Sequence, residues 1–347
     1  MYRLLIRPLL FLLPPETIHH LLVSFLRFVF KIPGLFPLVR SCYHVKHKSL
    51  ETEFLGLHFT NPVGLAAGFD KNASVCKEFH AFGFSFVEVG TITPLGQPGN
   101  EKPRSFRLKK DRGLINRMGF NNHGAAAAAA RLARKRPKGL ILGGNIGKNT
   151  QTPNDRAVDD YEAVFDAIYD GVDYFVVNVS CPNISDLRKL QDQDSLEQIL
   201  GRIMELRKKR ENRKPVLLKI SPDLNDKQLD ETLDIVKRLK LDGIVATNTT
   251  VSREGLKTPA SQIQAIGNGG MSGAPITARS LEVVRYIHDK SEGKLPIIAV
   301  GGIMSVQDAL NMLDAGATLI QLYTGFIYEG PGLARRINRA IIKRRTT

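Results

Sequence analysis

The stretch Tyr174-Phe-Val-Val-Asn-Val-Ser-Cys-Pro-Asn183 changes abruptly from apolar to polar. Its first half is the kind of β-branched run that forms a strand buried on both faces. Because Pro182 has no N–H and disfavours helix at the residue before it, we expect the strand to end here. The strand end then carries a thiol, Cys181, between two amides, Asn178 and Asn183, which suits a planar ring with carbonyl and N–H groups. Taken alone, the stretch fits a buried structural cysteine before a turn better.

Apolar runs of this kind recur along the chain, and each ends in glycine or a polar residue. The strand candidates are Val63–Ala67, Phe84–Val89, Leu140–Asn145, Tyr174–Val179, Pro215–Ile220, Gly243–Thr247, Ile297–Val300 and Leu319–Tyr323. Amphipathic stretches between them include Asp159–Tyr169, Ser195–Lys209, Asp226–Leu239 and Ser280–His288. Eight successive strand–helix units predict an α/β fold, a (β/α)8 TIM barrel of parallel strands.

The C-terminal strand ends, where such barrels have their active sites, share small hydrogen-bonding groups and two lysines. In chain order they are Ala67–Lys71, Gly90-Thr91, Asn145–Gly147, Asn178–Asn183, Lys219, Thr247–Thr249, Gly301-Gly302 and Tyr323–Gly325. A merely solvated rim would carry more charged side chains, so this ring predicts a built site. The glycines after the last two strands let the backbone approach a ligand and predict a phosphate there, unless they form tight turns only.

Length and composition are those of an ordinary globular protein, with 347 residues, 43% hydrophobic and 24% charged. Three widely spaced cysteines, Cys42, Cys76 and Cys181, form neither a disulfide framework nor a metal-binding pattern and indicate a reducing compartment. The formal net charge of +15 favours an anionic partner, which could be nucleic acid, acidic lipid headgroups, or a ligand bearing phosphate or carboxylate. Charge alone does not choose among them.

Residues 1–48 form an N-terminal segment that differs in character from the barrel predicted over residues 49–347. An apolar cluster, Leu4–Leu13, stops at Pro14-Pro15, and a second run, Thr17–Lys31, has its apolar residues on one wide helical face. Neither run approaches the ~20 apolar residues that span a bilayer, and a signal peptide is disfavoured because a cleavage site is missing. Edged by arginines and lysines, the two helices predict attachment to a membrane surface; packing of the same face on the barrel is the alternative.

Two long segments interrupt the regular spacing of the barrel. The first, from Ile92 to about Lys138, contains Arg104–Leu108 and Gly113–Phe120, which predict a hairpin with a polar turn. The second, Val251–Ser280, is rich in glycine, and we expect it to cover the site.

Several motifs closely resemble those of the dihydroorotate dehydrogenases, the flavin enzymes of pyrimidine synthesis. They are Asn61-Pro-Val-Gly-Leu-Ala-Ala-Gly-Phe-Asp-Lys71, Gly90-Thr-Ile-Thr-Pro94, Pro98-Gly-Asn-Glu-Lys-Pro-Arg104, Asn116-Arg-Met-Gly-Phe-Asn-Asn122, Asn145-Ile-Gly-Lys-Asn149, Asn178–Asn183, Ala246-Thr-Asn-Thr-Thr250 and the two C-terminal glycine motifs. The likeness covers essentially the whole chain. The N-terminal helices and the hairpin resemble the membrane-associated, quinone-reducing class, class 2.

The resemblance implies FMN as the cofactor and dihydroorotate as the substrate, with no metal. The residues that would hold FMN are Ala67, Gly68, Lys71, Thr91, Asn145, Asn178, Lys219, Thr247, Gly273, Gly302, Tyr323 and Thr324. Those that would hold dihydroorotate are Lys71, Asn116, Arg117, Met118, Gly119, Phe120, Asn178, Asn183, Asn248 and Thr249. Lys71 would pair with the substrate carboxylate, and Lys219 would stabilise negative charge on the reduced flavin.

The resemblance also implies that Cys181 is the base that removes a proton from C5 of dihydroorotate while a hydride passes from C6 to flavin N5. The membrane class usually has serine here and the soluble class cysteine, whose unperturbed pKa of about 8.5 makes it the more available base. The N-terminal helices nevertheless favour a membrane quinone as acceptor over fumarate or NAD. His19 and Arg107 match positions that line the quinone tunnel of that class.

Together these features predict a peripheral membrane protein of UMP biosynthesis, on the cytoplasmic face of a bacterial inner membrane in preference to a mitochondrial one. The net charge of +15 motivates one alternative, a flavin barrel that acts on RNA. Because the amides Asn116 and Asn178–Asn183 suit a small free ring better, no nucleic-acid partner is expected. A flavin-binding module without catalysis is the remaining alternative.

Overall fold

The computed structural model describes residues 2–179 and 193–346, and its centre is a closed barrel of eight parallel strands. The strands are β1 (Val63–Asp70), β2 (Phe86–Ile92), β3 (Ile141–Ile146), β4 (Tyr174–Asn178), β5 (Val216–Ile220), β6 (Gly243–Ala246), β7 (Ile297–Val300) and β8 (Leu319–Leu322). Each strand pairs with its neighbours in the chain, and β8 closes the barrel on β1, with Ile320 opposite Val63. The predicted TIM barrel is confirmed, and the predicted strand bounds differ from these by three residues or fewer.

The strands are buried on both faces, which explains why they are nearly continuous apolar runs. In β4, Tyr174 and Val176 belong to the cluster inside the barrel, whereas Phe175 and Val177 belong to the core under the outer helices. A short hairpin, Thr52–Phe54 with Leu57–Phe59, adds its phenylalanines to the inner cluster. Since this hairpin precedes the N-terminal end of β1, that end of the barrel is filled with side chains and ligand space is left at the other end.

Amphipathic helices surround the barrel and bury one face each against the strands. They are Cys76–Ala81, Ala125–Leu132, Ala157–Ile168, Gln193–Lys208, Asp226–Arg238, Thr277–Lys290, Val306–Asp314, Thr324–Glu329 and Gly332–Thr346. Asp226–Arg238 starts with a capping box in which Asn225 and Gln228 satisfy each other's backbone N–H groups, so its predicted start is confirmed.

The N-terminal segment forms three helical parts, Tyr2–Leu10, Pro15–Val29 and Leu35–Tyr43, where the sequence predicted two. The first is a π-helical turn, Tyr2–Ile6, continued by one α-helical turn. Within the described residues no single helix is long and apolar enough to cross a bilayer. Tyr2–Leu10 and Pro15–Val29, which meet at a bend of 111°, have that length and composition only when taken together.

The predicted hairpin is confirmed as Ser105–Leu108 paired with Gly113–Asn116. A strand from the second interrupting segment, Gly270–Gly273, joins it in antiparallel register, with Gly270 opposite Asn116. We call this three-stranded unit the cover sheet. Another pair, Leu95–Gln97 with Asn122–Gly124, and a short helix, Ala260–Ile266, complete the two interruptions.

Candidate active site

An open cleft lies between the C-terminal ends of the barrel strands and the cover sheet, and its empty space, including the mouth, is about 1020 Å³. The predicted site residues in its wall are Ala67, Gly68, Lys71, Thr91, Asn116, Met118, Gly119, Phe120, Asn178, Lys219, Thr247, Asn248, Thr249, Gly273, Gly302, Tyr323 and Thr324. Among the predicted FMN- and dihydroorotate-binding residues that the structure describes, Asn145 and Arg117 alone lie outside this wall. The strand ends, which are far apart in the chain, therefore meet at one cleft.

Asn145 is buried and bonded to residues of the wall. Thr91 Oγ1 donates to Asn145 Oδ1 (2.6 Å), and Asn178 Nδ2 donates to Thr91 Oγ1 (2.9 Å). Asn248 Nδ2 donates in turn to Asn178 Oδ1 (3.2 Å). This chain of hydrogen bonds crosses the barrel end from β2 to β6 and fixes the orientation of each amide.

The two predicted lysines have different surroundings. Lys71 is partly exposed and donates to Asn121 Oδ1. Lys219 is only 6% exposed and its Nζ lies 3.7 Å from Glu88 Oε1. One ammonium can therefore meet an anion that enters from solvent, whereas the other is fixed in the buried part of the site.

Arg117 holds the cover sheet to the segment after β6 instead of pointing into the cleft. Its Nη1 donates to Ile266 O (2.6 Å) and Asn268 O (2.9 Å), and its guanidinium lies 4.7 Å from the centre of the Phe106 ring. The guanidinium that the resemblance placed among the dihydroorotate-binding residues thus bonds to backbone carbonyls beside the cleft. The neighbouring Met118, Gly119 and Phe120 do line the cleft.

Cys181 and Asn183, the predicted base and its amide neighbour, lie outside the described residues. The description of this segment ends at Val179, which is 2% exposed, directly after Asn178 in the cleft wall. Tyr161 Oη donates to Asn178 O (2.9 Å), so the backbone at the end of β4 is anchored from the neighbouring helix.

The residues of the cleft fit an FMN molecule. At Gly302 (φ +72°) a Cβ would lie 2.3 Å from Thr277 Cα, and at Gly273 (φ +96°) a Cβ would lie 2.5 Å from Arg112 O. Both glycines line the cleft, and neighbouring backbone leaves no room there for a side chain. A turn of this kind, without a side chain, suits a phosphate cradle. Thr91, Asn178 and Lys219, at the ends of other strands, supply the donors and acceptors that a flavin ring needs.

Three polar residues in or beside the cleft were not predicted from the sequence: Glu88, Gln321 and Ser272. Gln321 and Ser272 line the cleft, and Glu88 is fully buried beside Lys219. The available signal for Glu88 was a single carboxylate inside an otherwise apolar strand, since such a group is stable only when it is paired. The signal for Gln321 was similar, an amide within an apolar run.

The two predicted quinone residues lie against the N-terminal helices. The His19 ring packs edge-on against Phe69 (5.3 Å between centres), and Phe69 packs against Tyr323 of the cleft wall (5.1 Å). Burial, with the nearby charges of Lys71 and His20, lowers the pKa of His19 to about 4. Arg107 lies over the Phe11 ring (4.4 Å) and donates to Leu13 O, so it joins the cover sheet to the N-terminal segment.

Comparison with known proteins identifies close relatives along almost the whole chain. A sequence model of one family, described as dihydroorotate dehydrogenase, matches residues 49–344. The protein named dihydroorotate dehydrogenase (quinone) from Christiangramia forsetii is 52% identical to this chain, and the match covers 99% of each. The protein of the same name from Thermosynechococcus vestitus is 46% identical, and the match covers 98% of this chain and 96% of that protein. A crystal structure of the Eimeria tenella enzyme in complex with ferulenol superimposes with a TM-score of 0.86 at 35% identity, covering 96% of this chain and 92% of that one.

Proposed function

The chain belongs to the dihydroorotate dehydrogenase family, and on that premise we propose that it oxidises (S)-dihydroorotate to orotate in UMP synthesis. FMN is the cofactor, and a membrane quinone is the final electron acceptor. The observation that carries the substrate is the convergence of three amides, Asn116, Asn178 and Asn248, with Lys71 in one cleft. Amides match the ring of dihydroorotate, and an ammonium matches its carboxylate.

The residues of this chain act by binding, orienting and neutralising charge. Lys71 pairs with the substrate carboxylate, and the bonded amides Asn178 and Asn248 hold the ring in one orientation. Bound FMN supplies the two-electron chemistry of both half-reactions. Lys219 stabilises negative charge at the buried end of the cleft, and Cys181 takes the proton from C5 of the substrate.

The FMN site combines residues from the strand ends with Gly302 after β7 and Gly273 of the cover sheet. Ala67 and Gly68 lie within β1 and Lys71 directly follows it. Thr91, Asn145, Asn178 and Lys219 come from β2 to β5. The remaining residues of the site are Thr247, Gly273, Gly302, Tyr323 and Thr324. Burial raises the pKa of Tyr323 to about 12, which favours the neutral hydroxyl even more than water does.

The quinone acceptor rests on the relatives, which carry it in their names and match this chain over its full length. Residues 1–48 form the membrane and quinone-binding extension, and residues 49–347 form the catalytic barrel. His19 and Arg107 contribute to the quinone site, because His19 reaches the cleft wall through Phe69 and Tyr323. Exposed leucines and phenylalanines of the extension attach the protein to the cytoplasmic face of a bacterial inner membrane.

One anaerobic experiment tests the whole proposal. The FMN of the purified protein is reduced with dihydroorotate and then mixed with a short-chain quinone, fumarate or NAD⁺ while reoxidation is followed. Fast reoxidation by quinone alone is expected. If fumarate or NAD⁺ reoxidises the FMN as fast, the quinone assignment is wrong; if dihydroorotate does not reduce the FMN, the substrate assignment is wrong.

A pair of lysine variants tests the substrate site in the same assay. Lys71→Met should raise the dihydroorotate concentration for half-maximal FMN reduction at least about tenfold, because a hydrogen bond to a charged group contributes about 1.5–3 kcal/mol. Lys77→Met is the matched control, since Lys77 is exposed on the following helix and lies over the Phe36 ring. Equal effects of the two substitutions would remove Lys71 from the substrate site.

A further inference from the structure

Glu88 is a carboxylate inside the barrel that the proposed reaction does not use directly. It lies on β2 and is 0% exposed. Two residues after Phe86, it points to the same face of the strand, and the Phe86 ring belongs to the cluster inside the barrel. Its two oxygens have three partners from three other strands. Asn145 Nδ2 donates to Oε1 (2.7 Å), Gln321 Nε2 donates to Oε2 (2.6 Å), and Lys219 Nζ lies 3.7 Å from Oε1.

The carboxylate decides which way two amides point. An ionised carboxylate can only accept hydrogen bonds, so the NH2 groups of Asn145 and Gln321 must face it. Asn145 Oδ1 is thereby directed to Thr91 Oγ1 and Asn178 Nδ2, both of which belong to cleft-wall residues. A substitution of Glu88 would consequently alter the orientation of Asn145, and with it the hydrogen bonds of Thr91 and Asn178 in the cleft wall, although Glu88 itself contacts no ligand.

The carboxylate also balances the buried charge of Lys219. Both side chains are almost fully buried, and a buried charge is costly unless an opposite charge or hydrogen bonds compensate it. Lys219 lines the cleft and Glu88 lies behind it, so the pair presents to a bound ring a positive group whose field is reduced by the negative group.

We propose that Glu88 is a positioning residue that orients the Asn145 and Gln321 amides and sets the reduction potential of bound FMN through Lys219. The inference rests on the FMN site of the proposed function. Removal of the negative charge would leave Lys219 less compensated, and a reduced ring that carries negative charge would then be favoured. The potential of the bound FMN should consequently rise in a variant without the carboxylate.

The test is the potential of FMN in Glu88→Gln, measured by equilibration with reference dyes under anaerobic conditions, which needs neither dihydroorotate nor quinone. We expect a shift of at least tenfold in the equilibrium toward reduced FMN, which is about 30 mV for a two-electron couple. The matched control is Asp242→Asn. Asp242 ion-pairs with Arg207 and accepts from Val216 N, at the N-terminal end of the barrel far from the cleft.

A potential that rises in Glu88→Gln and stays fixed in Asp242→Asn supports the inference. A potential that stays fixed in both variants, even with weaker FMN binding, means that Glu88 is a packing residue and overturns it. If Glu88→Gln does not hold FMN, Glu88→Asp replaces it. In Glu88→Asp the carboxylate lies one methylene farther from Lys219, so the potential of bound FMN should rise by less than in Glu88→Gln. An unchanged potential in Glu88→Asp would also overturn the inference.

The failure of this inference differs from the failure of the proposed function. A wild-type protein that holds no FMN, or whose FMN dihydroorotate does not reduce, contradicts the proposed function. A wild-type protein that passes both tests, with an unchanged potential in the Glu88 variants, contradicts the positioning role alone.

Discussion

Gly302 shows at the scale of one residue how tightly the backbone around the cleft is packed. Its φ of +72° is left-handed, and a Cβ would lie 2.3 Å from Thr277 Cα and 2.6 Å from Thr277 N. Backbone atoms cannot move aside as a side-chain tip can. We therefore predict that Gly302→Ala weakens FMN binding at least about tenfold, measured by equilibrium dialysis of the apoprotein with FMN, because relieving the overlap displaces the cradle.

A second glycine separates this steric effect from the cost of the backbone conformation. Gly56 has a similar φ of +75°, but nothing lies within 4 Å of its ideal Cβ. Gly56→Ala should cost about 1–2 kcal/mol of stability, as any L residue does in the left-handed region, and leave FMN binding unchanged. If both alanines weaken FMN binding equally, general destabilisation and not the cradle is responsible.

The difference between predicted and missed site residues has a physical reason. Lys71, Thr91, Asn178 and Gly302 stand at strand ends, and the barrel rule places all strand ends at one site without any knowledge of contacts. Glu88 stands inside a strand, where a carboxylate is normally unfavourable. Its role depends on partners from three other strands, and such distant pairings are not visible in local sequence.

At the scale of elements, the helix Pro15–Val29 is held by two titratable residues near its start. Burial alone would raise the pKa of Glu16, but the hydrogen bond and charge of Arg104, with the charge of Lys102, lower it to about 2. Burial and the charges of Lys71 and His20 lower the pKa of His19 to about 4. Both groups therefore bind protons less readily in the docked helix than in an undocked one.

Acid should accordingly loosen this helix in two overlapping steps. Between pH 6.5 and about 4 the undocked state binds a proton at His19 that the docked state does not, so docking weakens as the pH falls. Between pH 4.5 and about 2 the same holds for Glu16, whose stabilisation is present above this range and lost within it. Hydrogen-exchange protection of residues 15–29, corrected for intrinsic rates, should fall about tenfold from pH 7 to pH 5.

The variant His19→Gln distinguishes His19 from the other groups of the N-terminal segment. His44, whose pKa burial and the charges of Arg40, His80 and Lys46 also lower to about 4, remains in this variant and continues to act on the helix Leu35–Tyr43. The acid response of residues 15–29 should shrink in His19→Gln. A response of unchanged size would show that His19 is not the group whose protonation releases the helix.

The elements themselves were predictable where their signal is local. Eight apolar runs specify the barrel strands, and the spacing of apolar residues specifies the helix Pro15–Val29. The helix Leu35–Tyr43 is short and contains Pro37, so its pattern is too weak to predict it. The strand Gly270–Gly273 is glycine-rich and exists because it pairs with Gly113–Asn116, which is far away in the chain.

At the scale of the whole molecule, the exposed apolar side chains and the net positive charge are expected to contribute to membrane binding in different ways. The largest exposed apolar side chains are concentrated in the N-terminal segment, among them Leu4, Leu12 and Phe28. The net charge of +15 belongs to the chain as a whole. Charge attracts the protein to an anionic membrane over a range that salt shortens to about 8 Å at physiological ionic strength, whereas inserted side chains hold it there.

We therefore predict that Phe28→Asp weakens binding to anionic phospholipid vesicles at physiological salt by at least about tenfold, measured by co-flotation. Phe28 is 69% exposed, and losing the burial of one such side chain costs about 1.5–3 kcal/mol. Leu95→Asp is the matched control, because Leu95 is 73% exposed but lies outside the N-terminal segment. Both variants should retain FMN and its reduction by dihydroorotate. An equal loss of vesicle binding in both, or none in Phe28→Asp, would mean that net charge and not the N-terminal helices attaches the protein to the membrane.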